Sequence, residues 1–198
     1  MKPLRPVILA SASPRRKELL SLLLPAFEVR VPRVDETPQP GEAAGDYAER
    51  LAAEKAVEVA REAPAGAIIV AADTVVVLDG RILGKPRDAA DAHRMLAALS
   101  GRSHEVITGV CVRTAEEGTG ERFRTVTEVR FRALDEEEIA EYVESGEPMD
   151  KAGAYAIQSG AAHMVKEIRG SYTNVVGLPL CEVREAFRRL LNRPAPGR

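Results

Sequence analysis

The chain has 198 residues, 45% hydrophobic and 29% charged, with a formal net charge of −2. That length suits one domain, or two small lobes sharing a core, and the near-neutral balance excludes a global basic field that would draw nucleic acid or an anionic membrane. The start of the chain carries no signal-like apolar segment and no apolar run approaches the ~18 residues of a membrane span, so the expectation is a cytoplasmic protein.

Val7-Ile8-Leu9-Ala10 reads as a buried strand, followed by Ser11-Ala12-Ser13-Pro14-Arg15-Arg16-Lys17. Ser13 reads as a helix N-cap and Pro14 as the first helical residue, where its missing N–H costs nothing. Three cations in a first turn oppose the helix dipole. Either this is a solvated basic helix end, or free N–H groups, serine hydroxyls and cations together await a polyanion. Phe27 to Val31 alternates as a second strand, and the Pro/Gly-rich loop after it carries Asp35 and Glu36.

Asp46-Tyr47-Ala48-Glu49 reads as a capping box opening a helix to about Glu62. Lys55 falls on its apolar stripe between Leu51 and Val59, so its ammonium either snorkels to the surface or is aimed into a cleft. Ala67 to Ala72 has the continuous apolar character of a central strand, ending in Asp73-Thr74 and resuming at Val75 to Leu78. An uncompensated Asp in so apolar a stretch is costly, so a bend carries Asp73 to an edge or a cation or metal answers it. Asp79-Gly80 is a hairpin turn, and the return pairing would bring Lys85 back near the level of Asp73.

Asp88 to Leu99 is an amphipathic helix, and Val106 to Thr114 and Arg122 to Leu134 are expected as alternating strands with one wet face, joined by the turn Glu116 to Gly120. Asp135 to Glu138 is a second capping box, for a helix stopping at Gly146. The segment Gly146 to Gln158 is rich in small residues, with Asp, Lys and Gln among them; small residues permit close backbone approach. His163 to Ile168 is expected as a short strand, Tyr172 onward leads into a last helix, and residues 193–198 form a frayed tail. Cys111 and Cys181 read as buried core residues, and His93 and His104 as surface histidines. The mixture implies an α/β fold.

Ser11 to Arg16, Asp35-Glu36 and Asp73-Thr74 all follow apolar strands, and segments leaving one sheet edge share a crevice. Cations there, including Lys55 and Lys85, would bind phosphates, and carboxylates would bind a divalent ion. No Walker A motif, dinucleotide glycine fingerprint or nucleophile triad order is present. A water-activating phosphohydrolase and a phosphate-binding regulator remain.

The motifs Leu9-Ala10-Ser11-Ala12-Ser13-Pro14-Arg15-Arg16, Ala72-Asp73-Thr74, Gly84-Lys85-Pro86, Asp150-Lys151-Ala152-Gly153-Ala154-Tyr155 and Asn174-Val175-Val176-Gly177-Leu178-Pro179 stand in the order of the Maf family, nucleoside triphosphate pyrophosphatases once described as septum-formation inhibitors, which this sequence closely resembles from Leu9 to about Leu180. It departs at Ser159, where the pattern leads one to expect Gly, and at Met164, where an aromatic is frequent. The resemblance implies a single Maf-like domain of α/β class, with an elongated mixed β-sheet flanked by helices, similar to inosine triphosphate pyrophosphatases, and a cleft between two lobes. It further implies hydrolysis of a nucleoside triphosphate with Mg²⁺ or Mn²⁺ as cofactor. Asp73 would be the proton acceptor and Glu36, with Asp73, would hold the metal. Ser11, Ser13, Arg15, Arg16, Lys55, Thr74, Lys85 and Gln158 would bind substrate. Arg15, Thr74 and Gln158 match the set of the family branch preferring dTTP and UTP. A homodimer is a common state for such a fold, no nucleic acid or membrane partner is expected, and the alternative role is a nucleotide-binding regulator of septum formation without essential catalysis.

Overall fold

In the computed structural model, residues 5–116 and 120–192 are described; the expected tail at 193–198 and the middle of the expected turn at 117–119 lie outside them. Val7–Ala10 forms β1, Pro14–Ser21 α1, Glu28–Arg30 β2, Ala44–Ala60 α2 and Ile68–Leu78 β3. Arg81–Leu83 is β4, Ala89–Leu99 α3, Ser103–Thr114 β5, Gly120–Phe131 β6 and Glu136–Glu144 α4. Short 3-10 turns at Glu147–Asp150, Ala152–Ala154 and Gly160–Met164 precede β7 (Val165–Arg169), α5 (Tyr172–Val176) and α6 (Leu180–Asn192). The sheet has seven strands in the order β2-β1-β3-β5-β6-β7, with β4 paired to β3. β1 is parallel to β2 and β3, whereas β3–β4 and β6–β7 are antiparallel, so this is the mixed α/β sheet the sequence implies. The chain divides into two compact units: one of residues up to Asp73, Thr108–Thr125 and from Gly177 onward, the other of Thr74–Ile107 and Val126–Val176.

In the first unit β1 lies between β2 and β3, with Ala10 opposite both Arg30 and Ala71. Helix α2 covers one face. Ile8, Ala10, Ala67, Ile69 and Ala71 form one core with Ala52, Ala56 and Val59 of α2 and Cys111 of β5. Small side chains on both sides let helix and sheet approach closely. At Gly109 of β5 a Cβ would come within 2.3 Å of the backbone of Ala48, so only glycine fits beneath α2 there.

The first unit corrects several expectations. No capping box stands at Asp46: α2 starts at Ala44, and Ala43 before it offers no side-chain cap. Asp46 sits in the first turn instead, where a carboxylate suits the helix dipole, and pairs with Arg124 of β6 at 2.7 Å. β3 does not break at Asp73-Thr74 but runs unbroken for 11 residues. β5 is buried continuously over Val106 to Val112, so both its faces are covered there, α2 lying over Gly109 on one of them, and only β6 keeps the alternation. Cys111 is buried as expected, but Cys181, near the start of α6, is exposed.

In the second unit the β3–β4 hairpin turns on Asp79 (φ 50°) and Gly80 (φ 75°), the paired left-handed conformations a two-residue hairpin needs. α4 has its full capping box, with Asp135 accepting from the Glu138 N–H and Glu138 from the Asp135 N–H, and packs against α3. The 3-10 turn at Gly160–Met164 delays the last strand to Val165. Asn174 is fully buried and donates to the Val106 carbonyl (3.0 Å) and Thr127 Oγ1 (2.9 Å), tying α5 to β5 and β6. That gives the Asn of the Asn174 to Pro179 motif a structural role.

His104 is not a surface residue. β5 begins at Ser103, three residues earlier than the alternation indicates, and this turns the imidazole inward among Phe131 and Tyr155, with edge-to-face ring centroids 5.2 and 5.4 Å away. Its Nε2 lies 2.8 Å from the Tyr155 hydroxyl, while Nδ1 has no hydrogen-bond partner among the described residues. Burial lowers its pKa to about 4. An unfolded imidazole protonates near pH ~6.5, so between the two values the unfolded chain binds more protons and stability falls as pH drops through that window. Urea midpoints at about pH 7 and about pH 4.5 check this: wild type should lose ~2 kcal/mol more than His104→Leu.

Candidate active site

β1 ends at Ala10, level with Ala71 of β3, but β3 continues. On the β1 side Asp73 therefore lies two residues beyond the end of its neighbour, beside the turn into α1, while β5 flanks β3 on its other side.

The turn is closely bonded. The Ser11 N–H donates to the Arg30 carbonyl at 3.1 Å, extending the β1–β2 pairing by one residue. Ser13 caps α1, its Oγ accepting from the Arg16 N–H at 3.4 Å, with Pro14 in the first helical position. Ser11 Oγ accepts from the Ser13 N–H (3.1 Å) and from Arg16 Nη1 (3.4 Å), and Arg16 Nε donates to the Gly177 carbonyl at 2.9 Å. Arg16 is thus held against backbone and serine rather than left in solvent, and Gly177 of the Asn174 to Pro179 motif is its acceptor. Burial lowers the Arg16 pKa; Asp73 and Glu36 oppose that shift, and Arg15, half-buried beside it, adds to it.

Lys55, on the covered face of α2, is only 7% exposed. Its Nζ lies 2.6 Å from Asp73 Oδ1 and 2.6 Å from Glu36 Oε1. One ammonium thus joins two carboxylates, and the snorkelling alternative falls. Glu36 arrives on the loop after β2, which α2 also fixes: the Tyr47 hydroxyl donates to the Glu36 carbonyl at 2.7 Å, and Arg50 binds the Glu42 carboxylate through two nitrogens (2.7 and 2.8 Å) and the Thr37 carbonyl (3.2 Å). Asp35 does not join the site. Its carboxylate accepts from the Thr37 N–H and hydroxyl and closes a local turn. Burial, reinforced by Asp73 and Glu36, pushes the Tyr47 phenol up to about 12, so it remains a donor at any physiological pH. Tyr47 is absent from the sequence expectation, yet its spacing of four from Leu51 and eight from Lys55 places it on the same stripe and would have marked it.

Ser11, Ser13, Arg15, Arg16, Glu36, Lys55 and Asp73 are therefore gathered in the first unit. Thr74, half-buried in β3, and the exposed Lys85 and Gln158 belong to the second. Pairing of β3 with β4 stops at Val76 opposite Leu83, and Lys85 follows two residues later in a loop held by the Gly153 N–H on the Gly84 carbonyl at 3.0 Å. Among the described residues no group of three or more His, Cys, Asp or Glu is placed to hold a metal ion. The donor chemistry of Glu36 and Asp73 nonetheless fits a hard divalent cation: two carboxylate oxygens already converge on one positive charge, and such ions complete their shell with water and phosphate oxygens.

The bridge predicts a specific stability pattern. Lys55→Met leaves a buried Asp73 without its counter-ion and should cost ~3 kcal/mol, while Asp73→Asn in the same chain should recover part of that loss. Chemical denaturation of the two single variants and the double variant measures the coupling.

Three comparisons bear on these residues. A family profile described as "Maf-like protein" matches residues 6–190. A protein of Geobacter sulfurreducens named dTTP/UTP pyrophosphatase is 56% identical over 184 residues, 93% of this chain and 96% of its own. One of the same name from Anaeromyxobacter dehalogenans is 54% identical over 185 residues, 92% and 93% of the two chains. The solved structure of the Staphylococcus aureus Ham1 protein covers 93% of this chain and 98% of its own at a TM-score of 0.52 and 14% identity, a likeness of fold.

Proposed function

The chain belongs to the Maf-like family, and from that membership and the bridged carboxylates we propose that it is a nucleoside triphosphate pyrophosphatase acting on dTTP and UTP. The observation that carries this reading is the Lys55 ammonium held between Asp73 and Glu36, beside a helix start bearing Ser11, Ser13, Arg15 and Arg16. Relatives named dTTP/UTP pyrophosphatase support the substrate class.

In the proposed reaction, water attacks the α-phosphorus, the bond from that phosphorus to the oxygen bridging to the β-phosphorus breaks, and Asp73 Oδ accepts the water's proton. The products are the nucleoside monophosphate and pyrophosphate. A positioned general base supplies roughly 10² to 10⁴-fold. Arg16, fixed by Ser11 and Gly177, and Lys55 are cations already in place before substrate arrives, so charge growing on the phosphate oxygens is met without reorganisation. Ser11 Oγ accepts from two N–H groups and Ser13 Oγ from one, which leaves each hydroxyl's proton to donate to a phosphate oxygen. Lys85 adds a further point charge to the triphosphate. Glu36 and Asp73 would hold a divalent cation such as Mg²⁺ or Mn²⁺, which when bound withdraws charge from phosphate oxygens.

For the base, the Gln158 amide donates to one pyrimidine carbonyl and accepts from N3–H, a pair of groups that uracil and thymine present together and cytosine does not. Arg15 and Thr74 complete the selective set. Clearance of modified nucleotides follows from the same reaction. A regulator of septum formation that merely bound nucleotide would need the cations but not a buried carboxylate, and Asp73 at 9% exposure therefore favours catalysis.

Asp73→Asn should lower kcat by at least ~10²-fold while UTP still binds, checked by turnover and by equilibrium binding. Release of orthophosphate and a nucleoside diphosphate would refute the cleavage position. Arg16→Ala should raise KM for every triphosphate by about tenfold or more, whereas Arg15→Ala should mainly narrow the preference for UTP over purine triphosphates in an assay at equal concentrations.

A further inference from the structure

The segment that carries Gln158 is organised around one carboxylate. Glu147 opens the first 3-10 turn after α4, and its Oε1 accepts from the Tyr142 hydroxyl at 2.9 Å and from the Ser159 hydroxyl, while its Oε2 accepts from the Gly160 N–H at 3.2 Å. The Tyr142 hydroxyl in turn accepts from the Ala156 N–H at 3.3 Å. Glu147 is therefore connected to the chain on both sides of Gln158, through Tyr142 before it and directly through Ser159 and Gly160 after it. The fit is tight. A Cβ at Gly160 would lie 2.9 Å from Glu147 Oε2 and 2.9 Å from the Tyr142 ring, so the chain can come this near the carboxylate only as glycine. Burial pushes the Glu147 pKa up, but the bonds from Ser159, Tyr142 and Gly160 outweigh it and hold the group below the usual carboxylate range, in its accepting form. Ser159 follows Gln158 directly in the chain, and its hydroxyl is one of the donors in the clamp.

We propose that Glu147 is a positioning residue for base selection, and that Ser159 completes its clamp: together they hold the exposed Gln158 amide at the height and angle that reads a uracil or thymine edge. Gln158 is solvent-exposed, so its placement depends on the backbone on either side. Three points of that backbone are held in this way, Ala156 through Tyr142 and Ser159 and Gly160 by Glu147 itself. An amide in place of the carboxylate would turn an NH₂ toward donors in the clamp. With the amide oxygen kept on the Gly160 N–H, that NH₂ faces the Tyr142 and Ser159 hydroxyls, which must both turn from donating to accepting, and the Tyr142 hydroxyl already accepts from the Ala156 N–H. The loop would then sample positions in which Gln158 no longer distinguishes N3–H from N3. The inference rests on Gln158 reading the base, as proposed above.

The test compares UTP with CTP, which share the sugar and triphosphate and differ where Gln158 would read. The full-length enzyme would be assayed as wild type, Glu147→Gln, Ser159→Ala, Ser159→Thr and Gln158→Ala, with thermal melts to show that each is folded. Glu147→Gln should cut kcat/KM for UTP about tenfold, mainly through KM, and change CTP less than about twofold. Ser159→Ala should narrow the UTP/CTP ratio by about threefold and Ser159→Thr, which keeps the hydroxyl, should restore it. Ser159 is exposed, so these variants remain informative if Glu147→Gln does not fold. Equal loss on both substrates, or an unchanged ratio in Glu147→Gln and Ser159→Ala while Gln158→Ala narrows it, overturns the positioning role alone. An unchanged ratio in Gln158→Ala overturns the base-reading assignment and this inference with it.

Discussion

A lysine ammonium taken out of water must be answered by opposite charge, and an aspartate within a strand carries the same demand with the opposite sign. Lys55 and Asp73 satisfy each other across 2.6 Å, with Glu36 as a second acceptor. Much of the first unit serves that contact. β1 stops at Ala10, two residues short of the level of Asp73, α2 lays its alanines on the sheet so that Lys55 reaches inward, and Tyr47 and Arg50 hold the loop that brings Glu36. Such a bridge contributes little net stability, since the desolvation of both partners offsets most of the attraction. It reads more naturally as machinery than as a fastening.

The same logic accounts for cations in the first turn of α1, where helix electrostatics disfavours them. Arg16 is lodged between the Ser11 hydroxyl and the Gly177 carbonyl, so two separate sequence motifs, at opposite ends of the chain, meet in one hydrogen bond. In the second unit the division of labour differs. Asn174 and His104 are buried for architecture, while the small residues around Gly153 bring the 150s segment against Val76, where a Cβ would lie 2.8 Å from the valine side chain.

What could be read in advance follows from how local each cause is. The Ser13 cap, the Asp135 box and the Asp79-Gly80 turn depend on neighbours within a few residues, and each stands as read. Lys55 was legible because a charge on an apolar stripe is a local anomaly. The errors arise where a distant residue decides. Asp46 falls inside the first turn of a helix that starts at Ala44, and its carboxylate meets Arg124, 78 positions away. β5 loses its wet face to elements packed over the sheet, α2 among them, and His104 is turned inward by a strand that starts early. Asp35 and Glu36, adjacent and alike, could not be told apart by pattern. One closes a turn on Thr37 and the other meets Lys55. The motif set named the family, but which donors hold Gln158's loop is a matter of three-dimensional neighbours only.

Gly109 sets the distance for all of this. With the backbone of α2 against β5 at Ala48, the helix lies as near the sheet as backbone on backbone allows, and a side chain at position 109 would push it outward. Lys55 sits seven residues further along the same helix, so such a push would also draw its ammonium back from Asp73. The reach of the charge is set in part by a residue that has no side chain at all.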